Sequence, residues 1–218
     1  MQTLPAMHNF YKNIQAVILD AGQFPTSPKA LCWLDAGLPV VCCDGAAERF
    51  LLSGRVPWRI VGDSDSLKPE LQERYKAIVR HIPDQETNDQ TKAVEYLASH
   101  GYRKIAIVGA TGLREDHTLG NITLLQDYLE AGVEARIFTD YGVFVPVDSF
   151  LDFKCRPGTK VSIFNFGASG FRSEGLQYPL YDFKRLWQGT LNVAVSEHVY
   201  IEACGQFLVF VEYGRQGD

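Results

Sequence analysis

Carboxylates recur at the ends of short apolar runs. Asp20 follows Val17-Ile18-Leu19, Asp44 follows Val40-Val41-Cys42-Cys43, and Asp63 and Asp65 follow Ile60-Val61-Gly62. Asp84 follows His81-Ile82-Pro83, and Asp116 lies just past Ile107-Val108-Gly109. If each run is a strand of a parallel sheet, these side chains gather outside the carboxyl ends of the strands, where open α/β sheets bind their ligands. Crowded carboxylates repel one another. A hard divalent cation with oxygen ligands, Mg²⁺ bridging to phosphate oxygens, resolves that repulsion. One Asp in such a loop is ordinarily a turn former or helix cap. Its repetition at strand after strand is what points to a metal site.

Three segments sharpen the pattern. In Gly62-Asp63-Ser64-Asp65-Ser66 two Asp flank one small residue, so a loop can aim both at one cation. In Pro83-Asp84-Gln85-Glu86-Thr87-Asn88-Asp89-Gln90-Thr91-Lys92, Thr87 or Asn88 can cap a helix on which Asp89 and Lys92 lie one turn apart. That spacing suits either a surface pair or a carboxylate for metal beside an ammonium for phosphate. Gly109-Ala110-Thr111-Gly112-Leu113-Arg114-Glu115-Asp116-His117 places two glycines after a strand, where backbone N–H groups and a helix N-terminus can approach a phosphate. Arg114 can add a bidentate clamp, and Asn121 falls one turn beyond His117.

The elements that must hold these residues read as follows. Strand-like runs occur at Ala16–Leu19, Pro39–Cys43, Arg59–Val61, Val79–Ile82, Ile105–Val108 and Ala135–Phe138. Helical spacing lies between several of them, at Ala46-Ala47…Phe50-Leu51, Val94…Leu97-Ala98 and Ile122…Leu125…Leu129, the last closed by Gly132. Alternation of strand and helix predicts a mostly parallel α/β sheet domain. From about Gly158 the runs become rich in aromatic and β-branched residues: Val161–Phe166, Asn192–Val195 and Phe207–Val211. These predict a small antiparallel β-sandwich. The division expected is an α/β domain over residues 1–147 and a sandwich over 148–218.

Composition narrows the classes. The chain has 218 residues with 46% hydrophobic and 22% charged, as in an ordinary globular protein. Its net charge of −5 argues against a nucleic-acid partner or an anionic membrane surface. No apolar run approaches the ~20 residues that span a bilayer. The five cysteines show no Cys-x-x-Cys spacing and read as free thiols in a reducing cytoplasm. Gly-Lys-Ser/Thr, Gly-x-Gly-x-x-Gly, Gly-x-Ser-x-Gly and His-Glu-x-x-His are absent, which removes the P-loop, the dinucleotide fingerprint, the nucleophile elbow and the zincin motif.

Four segments in order resemble the thiamine pyrophosphokinase family: Asp44-Gly45-Ala46-Ala47-Glu48-Arg49, Gly62–Ser66, Asp84–Lys92 and Gly112–His117 with Asn121. Gly175-Leu176-Gln177-Tyr178-Pro179-Leu180 is similar to that family's thiamine-domain segment. The resemblance implies transfer of the pyrophosphoryl group of ATP to the hydroxyl of thiamine, giving thiamine diphosphate and AMP. It implies Mg²⁺, an α/β nucleotide-binding domain, a thiamine-binding β-sandwich, and a homodimer whose active site is shared between subunits. By motif position, Asp44, Asp63, Asp65 and Asp89 become the catalytic metal ligands, with Asp116 in the same acidic set. Gln85 and Asn88 become contacts near thiamine and the phosphates. Lys92, Arg114, His117 and Asn121 become nucleotide contacts, and Ser196 and Tyr178 thiamine-side residues. In place of the family's usual residues, this chain has Ala46, Glu48, Ser64 and Ser196-Glu197-His198. The residue pattern alone also fits a metal-dependent phosphoesterase or nucleotidyl-sugar transferase built on Asp63-x-Asp65, or a binding module that senses a nucleotide without turnover.

Overall fold

The computed structural model describes residues 8–214. It divides into two compact units, one of residues 14–140 and one that joins residues 8–13 to residues 141–214.

The first unit is α/β. Its strands are β1 (Ala16–Leu19), β2 (Val40–Cys43), β3 (Arg59–Gly62), β4 (Val79–His81), β5 (Lys104–Val108) and β6 (Glu134–Phe138). Its helices are α1 (Pro28–Leu31), α2 (Asp44–Leu52), α3 (Pro69–Arg74), α4 (Asp89–Ser99) and α5 (Glu115–Glu130). The strands pair in the order β6-β5-β1-β2-β3-β4, every pair parallel. All four residues of β1 and of β2 are buried. Such uninterrupted apolar strands are what a sheet covered on both faces requires. The chain steps one way from β1 to β4 and the other way from β1 to β5 and β6. The carboxyl ends of β1 and β5 therefore flank a topological switch point.

Helix ends follow from local chemistry. Asn88 caps α4 by accepting from the Thr91 N–H at 2.9 Å. Gly132, at φ 75°, follows the end of α5. The loops after β1 and β5 are joined through the main chain: Gly22 N–H donates to Gly109 O and Gln23 N–H to Thr111 O, both at 2.8 Å. Their approach is so close that a Cβ on Gly22 would stand 2.4 Å from Gly109 O. Asp140 anchors the far end of the first loop, accepting from the Thr26 and Ser27 N–H groups at 2.9 Å.

The second unit is antiparallel. It contains β7 (Gly142–Val147), β8 (Phe150–Lys154), β9 (Lys160–Asn165), β10 (Ser169–Glu174), β11 (Gly189–Val193), β12 (His198–Cys204) and β13 (Phe207–Glu212). Within it, β11-β9-β13-β7 form one sheet and β10-β12-β8 another. Phe171 of β10 meets Phe207 of β13 with ring centroids 5.4 Å apart, so the two sheets share one core. Phe10, from a 3-10 turn at His8–Tyr11, packs on Phe153 of β8 at 5.3 Å. This is the expected sandwich. All six residues of β7 pair with β13, from Gly142 opposite Glu212 to Val147 opposite Phe207. The expected division at 147/148 lies between β7 and β8, and the contact division lies at Tyr141, ahead of β7.

Candidate functional site

Asp44 opens α2 directly after β2, and only 2% of its surface is exposed. Its Oδ1 accepts from the Gly45 N–H at 2.6 Å, while its buried Oδ2 has no hydrogen-bond partner among the described residues. Burial, then the neighbouring Asp89 carboxylate, push the Asp44 pKa up to about 6. Gly62 makes room for this side chain: a Cβ there would lie 2.7 Å from Asp44 Cγ. Glycine at the end of β3 is thus a packing requirement of the site.

Lys92 is the cation of the group. Its side chain is 3% exposed, and Nζ lies 3.3 Å from Asp89 Oδ1 and 3.9 Å from Asp63 Oδ2. α4 places Asp89 and Lys92 on one face. Asp63 Oδ1 accepts from the Asp65 N–H at 3.1 Å, and its Oδ2 accepts from Gln85 Nε2 at 3.3 Å. The Asp65 N–H, followed by Gln85 and Lys92, holds Asp63 below the usual carboxylate range. Ser64 between the two Asp has φ 68°, a left-handed turn that folds the Asp65 N–H back onto Asp63.

Asn121 of α5 is buried behind the group. Its Nδ2 donates to Asp20 Oδ2 and Ala110 O, each at 3.0 Å, and its Oδ1 accepts from Asn88 Nδ2 at 2.9 Å. Asp20, at the end of β1, also accepts from the Ala21 N–H at 2.7 Å. Burial is the largest influence on Asp20 and pushes its pKa up to about 6. Among the sequence-predicted carboxylates Asp20 received no role in the site, although its position after an apolar strand was the signal that marked the others.

The remaining predicted residues lie less close together. The Asp65 side chain is exposed, and only its N–H joins Asp63. Arg114 and Asp116 form an exposed bidentate pair, 3.1 Å at Nε–Oδ1 and 2.6 Å at Nη2–Oδ2. Arg114 holds Asp116 down to about 2. Asp116 is thus engaged with its own cation. His117 is exposed on the first turn of α5. Asp84 accepts from the Thr87 hydroxyl and the Glu86 N–H and acts as a turn former. In the second unit the Ser196 hydroxyl donates to His198 O, closing a local turn beside Gly175. Tyr178 is exposed, with its N–H bonded to Asn192 Oδ1 at 3.1 Å.

Among the described residues no three His, Cys, Asp or Glu side chains are grouped as a ready-made metal cage. Of the four carboxylates expected as ligands, Asp44 lies beside Asp89, Lys92 pairs with both Asp63 and Asp89, and the Asp65 side chain is exposed. The donors still fit Mg²⁺, which usually takes one or two carboxylates and completes its shell with water and substrate phosphates. The orphaned buried Oδ2 of Asp44, pressed by Asp89, is the oxygen that such an ion would satisfy.

Comparison with known proteins agrees with this architecture. Residues 32–137 match the family model described as thiamin pyrophosphokinase, catalytic domain. Residues 142–210 match thiamin pyrophosphokinase, substrate-binding domain. A thiamine pyrophosphokinase of Oryza sativa subsp. japonica is 34% identical over 44% of this chain and 45% of its own. One of Caenorhabditis elegans is 27% identical over 56% of this chain and 54% of its own. The chain thus spans about half the length of the curated relatives it matches. The fold is similar to that of thiamine pyrophosphokinase from Bacillus subtilis, with TM-score 0.76 and 19% identity over 93% of this chain and 100% of that one. It is also similar to that of the Candida albicans protein, with TM-score 0.74 and 20% identity over 91% and 88%. With both domain models matched in order along one chain, this protein belongs to the thiamin pyrophosphokinase family.

Proposed function

We propose that the protein transfers the pyrophosphoryl group of ATP to the hydroxyl of thiamine, releasing thiamine diphosphate and AMP. The observation that carries this reading is the gathering of Asp44, Asp63, Asp89 and buried Lys92 at the strand ends of a chain from this family. In the reaction the thiamine hydroxyl oxygen bonds to the β-phosphorus, the bond from that phosphorus to the α–β bridging oxygen breaks, and AMP leaves with the bridging oxygen. The hydroxyl proton is released. Such transfers need alignment and charge neutralisation more than covalent help from protein.

Each residue then has a part. Asp44, Asp63 and Asp89 would hold Mg²⁺, with Asp65 at the open edge. The ion would supply charge neutralisation at the triphosphate. Lys92 supplies a fixed positive charge in a dehydrated setting, where it counts for more than in water. Arg114 and the N-terminus of α5 bind phosphate oxygens, His117 lies at the same edge, and Asn121, bonded to Asp20, Ala110 and Asn88, supports that edge from behind. Gln85 and Asn88 border the thiamine side, and Ser196 and Tyr178 belong to the thiamine-binding unit. We further infer a homodimer in a reducing cytoplasm. Exposed Tyr178, Tyr181, Leu186, Trp187 and Leu191 on the second unit support the first statement, and five free cysteines the second.

The test is product analysis with Mg-ATP, with and without thiamine. Thiamine diphosphate with equimolar AMP is the expected outcome. ADP with thiamine monophosphate, or nucleotide turnover independent of thiamine, would overturn it in favour of a simple kinase or a phosphoesterase.

A further inference from the structure

Asp20, Asn121 and Asn88 form a relay of side-chain hydrogen bonds that links β1, α5 and the cap of α4. A primary amide has a donor end and an acceptor end, so such a relay has a polarity. An ionised Asp20 only accepts, as does Ala110 O. Both therefore demand the Nδ2 end of Asn121, which turns Asn121 Oδ1 toward Asn88. Asn88 must then present its Nδ2, which leaves its Oδ1 for the Thr91 N–H. Reversing Asn121 would face donor with donor at Asn88 and take the cap away from α4. Lys92 N–H donates to Asn88 O at 3.1 Å, so the same residue holds the turn that bears Asp89 and Lys92. We propose that Asp20 is a positioning residue of the transfer reaction, setting through Asn121 and Asn88 the start of α4 and hence the placement of Asp89 and Lys92. Asp20 touches neither reacting atom nor phosphate in this scheme.

The kinetic part rests on the proposed pyrophosphoryl transfer; the relay itself does not, and the experiment reads the two separately. Asp20→Asn, nearly isosteric, puts a donor where an acceptor is needed. Amide hydrogen exchange at Thr91 and Lys92 should quicken about tenfold, the scale of a lost helix cap, while amides of α2 keep their protection. In the same variant kcat should fall about tenfold or more, with KM for ATP little changed. Because the relay runs in series, Asn121→Ala should quicken exchange at Thr91 and lower kcat in the same way, and adding Asp20→Asn to it should change neither further. If Asp20→Asn does not fold, Asn121→Ala alone tests the relay by the same exchange at Thr91 and Lys92. Unchanged exchange at Thr91 in Asp20→Asn or in Asn121→Ala, or a double variant in which the two effects simply add, would overturn the proposal. Relay behaviour as described in a protein with no thiamine-dependent transfer would overturn the function and leave the relay standing.

Discussion

Lys92 Nζ lies 3.3 Å from Asp89 Oδ1, one helical turn away, and the lysine side chain is almost wholly buried. An ammonium so placed is held by carboxylates, which in the proposed reaction it would exchange for phosphate oxygens. Lys92→Met should lower kcat by ~10²–10³, the usual cost of removing one group that meets charge developing in a transition state. Lys92→Arg should not restore activity, because a planar fork does not fit where a compact ammonium was packed. Steady-state kinetics checks both, and near wild-type kcat in Lys92→Met would remove Lys92 from the reaction.

Gly62→Ala introduces a methyl 2.7 Å from Asp44 Cγ. The loop or the carboxylate must move, at a cost of ~1–3 kcal/mol for overpacking. Calorimetry should show a lower Tm, and transfer should be largely lost because Asp44 is displaced. Wild-type activity in this variant would mean that Asp44 is not needed where it stands.

Stability should vary with pH in a direction set by Asp44. Its folded pKa of about 6 lies above the ordinary 3.8, so its favourable contribution is complete below about pH 4 and lost as pH rises through 6. Asp20 acts in the same sense. Metal-free protein should therefore gain stability on going from pH 7.5 to 5. Asp44→Asn should be more stable than wild type at pH 7.5 by up to about 2 kcal/mol, a gain that shrinks toward pH 5. Urea unfolding in the presence of chelator measures this. Equal stability at pH 7.5 would mean that the carboxylate is not strained by burial.

Arg114 and Asp116 pair in solvent, with 70% and 64% of their side chains exposed. Such pairs contribute little to folding, and Arg114→Ala should leave Tm essentially unchanged. It should raise KM for ATP several-fold if the guanidinium leaves Asp116 for phosphate. An unchanged KM would make the pair a surface feature.

Much of the first unit was legible in the chain because β1, β2 and β5 are buried on both faces and show as unbroken apolar runs. Strands of the second unit were harder to see. β8, with exposed Phe150, Asp152 and Lys154 around buried Phe153, and β12, with His198 and Glu202, cover the core on one side only, and their charges mask the alternation. α3 lacks any buried residue, so no periodicity marked it. In the site, strand-end position identified the carboxylates but not which of them would meet. Two things absent from spacing decided that: the left-handed turn at Ser64, which leaves Asp65 outside, and the burial of Lys92 between Asp63 and Asp89. Asn121 was expected at the nucleotide, but three of its four hydrogen-bonding positions are spent within the protein.

The joining of the β1 and β5 loops through Gly22, Gly109, Gln23 and Thr111 uses only backbone N–H and C=O groups. The contour of the switch point is therefore written in the main chain and owes nothing to the side chains it displays. Gln23 and Leu113, both exposed there, are free to drift without loosening the loops that carry them. Under the proposed function, single substitutions on this rim would retune ligand preference while the glycines beneath stay bound to their places.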